Sequence, residues 1–233
     1  MKFLIIFFAF FIFCNYLLAG APPMNKEPIP LAPYSFVKTN HIIIGVEWEK
    51  ENLKKFLPSS LFNQSTITGG INIFNSKKKQ DYSPLSGSYG WVDLPGDNKE
   101  KLIIFSIYGP NKTINNIMKS VYNLQSDMGS NKVTLINDNA IATASIRKKN
   151  VLSLSSSGSK DCSNASGDEI LVTKYSETEK IYHNLRWIAE KQCSMIPNKL
   201  ELKGSLEKFK VKKLLWAKTQ RNSEVIFEEQ LSK

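Results

Sequence analysis

The sequence predicts an α+β fold dominated by strands, and three observations predict it. Short β-branched and aromatic runs recur along the chain. Few stretches carry apolar residues at the three-and-four spacing of an amphipathic helix. No internal repeat or linker divides the 233 residues, and 42% hydrophobic with 22% charged residues is the balance of a folded globular protein. Residues 34–233 are therefore expected to form one domain.

In chain order, residues 1–21 pair a short positive end, Met1-Lys2, with a Phe/Ile/Leu-rich run and a small-residue end at Gly20-Ala21. That pattern predicts a cleaved secretory signal peptide and export to the periplasm or medium, with an uncleaved membrane anchor as the alternative. No integral membrane domain is expected after cleavage. Residues 22–33 hold five prolines and read as an extended leader. His41-Ile-Ile-Ile-Gly-Val-Glu-Trp is a strand, being apolar and β-branched. Leu53, Phe56 and Leu57 mark a short amphipathic helix after Glu49, stopped by Pro58. Strands follow at Gly70–Phe74, Tyr89–Leu94 and Lys101–Tyr108. Ile114, Ile117, Met118, Val121 and Tyr122 share one face of a helix reaching Leu124. A polar turn then leads to strands at Val133–Ile136, Ala140–Ile146 and Val151–Ser157, the last alternating apolar and hydroxyl residues. Ser155–Gly167 reads as a Ser/Gly-rich loop, Glu177–Gln192 as partly helical, and Lys199–Gly204, Val211–Lys218 and Glu224–Glu229 as strands.

Composition narrows the chemistry. The formal charge of +10 falls to about +9 without Lys2, but the cations are dispersed and no nucleic-acid motif accompanies them. Nucleic acid is not an expected partner. Cys162 and Cys193 remain after signal removal, and an even number of cysteines in an exported chain invites a disulfide; two separate buried thiols are the alternative. Only His41 and His183 are present and neither cysteine has Cys/His company, so no metal site is expected. Ser153-Leu-Ser-Ser-Ser is no nucleophile elbow, and no Gly-rich phosphate loop is present.

One order of features is more specific. Pro33-Tyr34-Ser-Phe36, the strand from His41, and Glu51-Asn-Leu-Lys-Lys-Phe-Leu-Pro58-Ser-Ser-Leu61 resemble the start of the acetoacetate decarboxylase family. Leu102–Leu124 is similar to the family's approach to its active site. Asn184-Leu-Arg186-Trp-Ile188 resembles a basic-centred apolar motif, and Leu206–Phe227 resembles the closing strand pair, with a turn around Thr219-Gln-Arg-Asn. The resemblance implies a mostly antiparallel sheet curled into a closed cone or barrel with peripheral helices, able to enclose a small ligand. It implies no cofactor, and it leaves homo-oligomerisation open.

The family's chemistry begins with a neutral lysine that forms a Schiff base with a β-keto acid. Its motif sets a proline before two adjacent lysines. One register lays Gly129-Ser-Asn-Lys132 on that motif and makes Lys132 the nucleophile, with Val133 in place of the second lysine. The other register keeps more of the downstream sequence in step, and puts Ser126 at the nucleophile and Asp127 beside it. Gly69-Gly-Ile-Asn72 offers no glutamate where the family has one, and Trp91 stands where a Tyr-x-Glu would end. Two functions follow from the resemblance. One is a divergent binding protein that encloses a small apolar or weakly acidic molecule, with Tyr89 and Trp91 lining the site and Arg186 pairing with a carboxylate. The other is a Schiff-base decarboxylase or lyase acting through Lys132.

Overall fold

The computed structural model describes residues 32–76, 85–96, 100–176 and 178–231, with side chains as far as residue 228. The proposed signal peptide, most of the proline-rich leader and the Lys77-Lys78-Lys79 run lie outside the described residues.

Nine strands form one sheet that closes on itself: β1 (Tyr34–Trp48), β2 (Ile67–Ser76), β3 (Ser86–Asp93), β4 (Glu100–Gly109), β5 (Ser126–Ile136), β6 (Asn139–Ile146), β7 (Lys149–Tyr175), β8 (Lys180–Leu202) and β9 (Val211–Leu231). All neighbours are antiparallel except where β4 runs parallel to β5 through Ser106–Tyr108 and to β7 through Glu100–Leu102. The ring closes because β1 pairs with β2 along one edge and with β9 along the other.

Strand β1 is buried on both faces. Ile42, Ile44, Val46 and Trp48 join one hydrophobic cluster, which draws residues from every strand. Tyr34, Phe36 and the partly buried Ile43 join a second, with Phe74, Tyr89, Trp91, Leu185 and Phe227. A strand covered on both sides reads as a continuous apolar run, which is what residues 41–48 show.

Helices are few. The Leu53–Leu57 pattern yields one turn, α1 (Lys50–Leu53); Leu53 and Leu57 are buried, while Phe56 stays half-exposed against Phe209. Helix α2 (Lys112–Ser120) starts at Asn111, whose side chain accepts the Thr113 backbone N–H at 2.7 Å, a standard N-cap. It buries Ile114, Ile117 and Met118 in the second cluster.

Four expectations are corrected. Residues 123–132 are not one polar turn, because β5 begins at Ser126. Ser155–Gly167 is not a loop but part of β7, and Lys180–Gln192 is not helical but part of β8. Their ladder, including Lys160 opposite Ser194 and Gly167 opposite Trp187, supplies backbone partners that outweigh local propensity. The turn expected at 219–222 is an irregularity within continuous β9, with Asn222 at φ 50°. Cys162 and Cys193 form a disulfide across the β7–β8 pair, their Cα atoms 4.2 Å apart.

Gly69 and Gly70 sit where Trp48 and Trp91 press on β2. A Cβ at Gly69 would lie 2.0 Å from the Trp91 carbonyl oxygen, and one at Gly70 would lie 2.5 Å from the Trp91 ring. Backbone cannot yield as a side chain can. Gly69→Ala is therefore expected to lower the unfolding free energy by about 2 kcal/mol or more, read from urea denaturation.

Candidate functional site

The pleat gives each strand two faces, and residues directly opposite on neighbouring strands share a face. The register thus defines one lateral row: Ile43 opposite Asn72, Asn72 opposite Tyr89, Tyr89 opposite Ser106, and Ser106 opposite Ser126. At one end of this row lies a cavity of about 20 Å³, room for about one water. His41, Asn72, Tyr89, Gln220 and Glu169 supply its polar lining; Phe74, Leu185, Trp187 and Phe227 supply most of its apolar wall. Glu169 and Trp187, with Ile43, are the less buried members and form its outer side.

A continuous hydrogen-bonded chain runs behind this lining. The Thr39 hydroxyl donates to the Ser223 carbonyl at 2.9 Å and lies 2.8 Å from His41 Nε2. His41 Nδ1 lies 3.3 Å from Asn72 Oδ1, and Asn72 Nδ2 donates to the Tyr89 hydroxyl oxygen at 3.1 Å. The His41 ring stacks on Phe74, with centroids 5.1 Å apart. Burial lowers the His41 pKa to about 4, against the smaller opposing effect of its Asn72 contact. Burial, and then the negative charge of Glu169, push the Tyr89 hydroxyl well above the usual phenol range, so it keeps its proton.

The sequence-predicted residues divide between this site and the surface. Tyr89 lines the cavity. Trp91 packs beside it, with ring centroids 5.9 Å apart, and donates its indole N–H to Asp93 at 2.9 Å. Ser126 is buried in the same row, and its hydroxyl reaches the Asp127 carbonyl at 3.3 Å. Asp127 is exposed on the other face. Lys132 is exposed between buried Asn131 and Val133, six residues beyond Ser126, or about 20 Å along the strand. Arg186 lies outside the cavity lining; its guanidinium pairs with Asp168 at 3.4 Å and Glu228 at 2.7 Å. Among the described residues, no lysine or arginine lines the cavity, and no His/Cys/Asp/Glu group is arranged to hold a metal. Lys101 is the nearby cation, bound to Glu169 at 2.6 Å and lying over the Trp91 ring at 4.6 Å.

His41, Asn72, Glu169 and Gln220 were not singled out as site residues by sequence. The available signal was polarity inside an apolar strand: histidine before three isoleucines, and asparagine between two.

The closed nine-strand ring, its two parallel contacts and α2 ahead of β5 can be set against solved structures. The chain superposes on acetoacetate decarboxylase with a TM-score of 0.68 at 13% identity, covering 92% of this chain and 95% of that one. The fold is acetoacetate decarboxylase-like. The enzyme of that name from Legionella pneumophila gives a TM-score of 0.67 at 12% identity, covering 94% of each chain. The enduracididine biosynthesis enzyme MppR, solved with pyruvate, gives 0.62 at 7% identity, covering 91% of this chain and 93% of that one. No protein-family model matches the sequence, and neither does any curated protein. On this acetoacetate decarboxylase-like frame the cavity belongs to the row that contains Ser126, not to the exposed position of Lys132.

His183 is also fully buried, edge-on to Tyr122 with centroids 4.9 Å apart, and burial lowers its pKa to about 4. Both histidines are neutral in the fold until about pH 4, whereas in the unfolded chain they titrate near 6.5. Between these values the unfolded state binds more protons, so stability falls as pH falls through that window. Taking pH 7 to pH 5 is expected to cost roughly 2 kcal/mol per histidine. His41→Gln should remove about half of that slope in denaturant titrations at each pH.

Proposed function

We propose that this chain is an exported binding protein that encloses a small, mainly apolar or weakly acidic molecule in the interior cavity, without lysine chemistry. The observation that carries this proposal is the lining itself, a mostly apolar wall with a few convergent buried polar groups, among them the protonated Tyr89 hydroxyl. The pyruvate in MppR supports a small organic molecule as the kind of occupant. A ligand larger than water enters by displacing the outer side chains, Glu169 and Trp187. Export is supported by the N-terminal pattern and by the disulfide, a bond that persists in oxidising compartments.

The Schiff-base alternative through Lys132 draws no support from its position. A covalent lysine must share a closed site with its substrate, and Lys132 is exposed about 20 Å along β5 from Ser126. Lys101, closer to the cavity, is held by Glu169.

Incubation with acetoacetate and borohydride, followed by intact-mass and peptide mass spectrometry, should yield no lysine adduct. An adduct on any lysine would overturn the non-covalent proposal. In a thermal-shift screen of small neutral and acidic molecules, a stabilising compound should lose at least half of its shift in Tyr89→Phe while the variant's own fold is retained. Secretion tests the export proposal, with a mature N-terminus near residue 21 as the expected product.

A further inference from the structure

Lysines that lie apart in the sequence converge on one face of the sheet, and the ladder register shows how. Lys160 on β7 stands opposite Ser194 on β8, Ser194 opposite Lys218 on β9, and Lys218 opposite Ile43 on β1. Residues so opposed share a face. Along β9 on that face, Trp216 stands opposite Gly45 and Lys213 opposite Glu47. On β8, Ile196 follows Ser194 by two residues and so projects the same way.

Two bulges in β9 add to this face. Gly45 pairs with Trp216 and Val46 with Leu214, so Leu215 is extra; Glu47 pairs with Lys213 and Trp48 with Val211, so Lys212 is extra. The extra residue of a bulge is left out of the ladder, and both of these side chains are exposed.

The apolar part of the face lies open: Ile196 is 55% exposed, Leu215 40% and Trp216 40%. The Trp216 ring lies across Gly45, where a Cβ would come within 2.1 Å of it, and the Lys218 ammonium stands 5.4 Å from the ring centroid. Glu47 is the one carboxylate among these residues, and Lys212 holds it at 2.7 Å. Among the described residues, Lys160, Lys213 and Lys218 form no ion pair.

We propose that this face of β8 and β9 docks on the surface of an anionic phospholipid bilayer. An exposed indole and two aliphatic side chains beside free ammonium groups match its headgroup layer. The apolar groups bury at the acyl boundary while the lysines keep their charge among the phosphates. A second copy of the chain fits poorly, because a two-fold contact would set the same lysine cluster against itself. A soluble polyanion would satisfy the lysines and leave Ile196, Leu215 and Trp216 in water. Ile43, opposite Lys218, also belongs to the outer side of the interior cavity, so the docking face borders that side.

The test is co-sedimentation of the chain lacking residues 1–21 with vesicles of phosphatidylcholine, alone or mixed equally with phosphatidylglycerol. The sheet begins at Tyr34, so this form keeps every strand. At about 0.1 M salt the mixed vesicles are expected to bind at least about tenfold more tightly, because each lysine near the surface contributes about fivefold. Lys213→Gln with Lys218→Gln should lose at least about tenfold on mixed vesicles. Lys148→Gln with Lys149→Gln, exposed where β6 turns into β7, should lose less than about threefold. All four lysines are exposed, so circular dichroism should show both variants folded. Brominated phosphatidylcholine in the mixed vesicles should quench tryptophan fluorescence more in the unsubstituted chain than in Trp216→Phe. Equal binding to the two kinds of vesicle, or an equal loss in the two lysine pairs, overturns the proposal. Quenching unchanged in Trp216→Phe overturns it as well, and leaves a soluble polyanion as the occupant.

Discussion

The structure depends on one strand being enclosed from every direction. β1 gives one edge to β2 and the other to β9, and apolar clusters cover both of its faces. Its polar side chains near the middle are buried. Thr39, Asn40 and His41 are all buried, and each must be satisfied by protein, since a buried polar group left unpaired costs about 1–3 kcal/mol. Thr39 and His41 are satisfied through one chain that borrows the Ser223 carbonyl from β9, the Asn72 amide from β2 and the Tyr89 hydroxyl from β3. Ring closure and site chemistry are thus one constraint: the strands that seal the sheet also hold the groups that line the cavity.

What sequence made legible was the part governed by local pattern. The β-branched run at His41–Trp48 and the strand at Lys101–Tyr108 carry their structure in their own residues, as does the apolar face of α2. Ser155–Gly167 does not. Its serines, glycines and asparagine favour turns, and it becomes strand because β8 lies alongside it and the Cys162–Cys193 bond ties the two together. Residues 180–192 mislead in the other direction, because Ile181, Leu185 and Ile188 recur at helical spacing. In β8 both edges are taken by β7 and β9, and alternation governs instead, with Leu185 buried and Ile188 half-exposed. The site was legible as a location and not as a set of residues. Tyr89 was found because a resemblance pointed to it, whereas the partnership of His41 with Asn72 spans two strands and has no sequence spacing of its own.

The two registers for residues 123–133 differ by six positions, and the strand shows what that distance means. An even shift keeps a side chain on the same face, so Lys132 and Ser126 project to one side of β5. About 20 Å farther along, however, that side is no longer covered, and Lys132 meets solvent. A lysine cannot migrate along a strand and keep its surroundings, because the pocket is formed by the neighbouring strands at one level only. Ser126 keeps the level, opposite Ser106 and in line with Tyr89 and Asn72. A hydroxyl at that level cannot form an imine.

Among the described residues no cation lines the cavity, so hydroxyl, imidazole and amide groups set its polarity. The Thr39 hydroxyl donates to the Ser223 carbonyl and touches His41 Nε2, and Asn72 donates to the Tyr89 oxygen. Charge near the cavity is dealt with separately: Lys101 neutralises Glu169 at the outer side, over the face of Trp91. Glu169 and Trp187, with Ile43, are also the less buried of the lining, so the side chain that carries the charge stands on the outer side of the cavity.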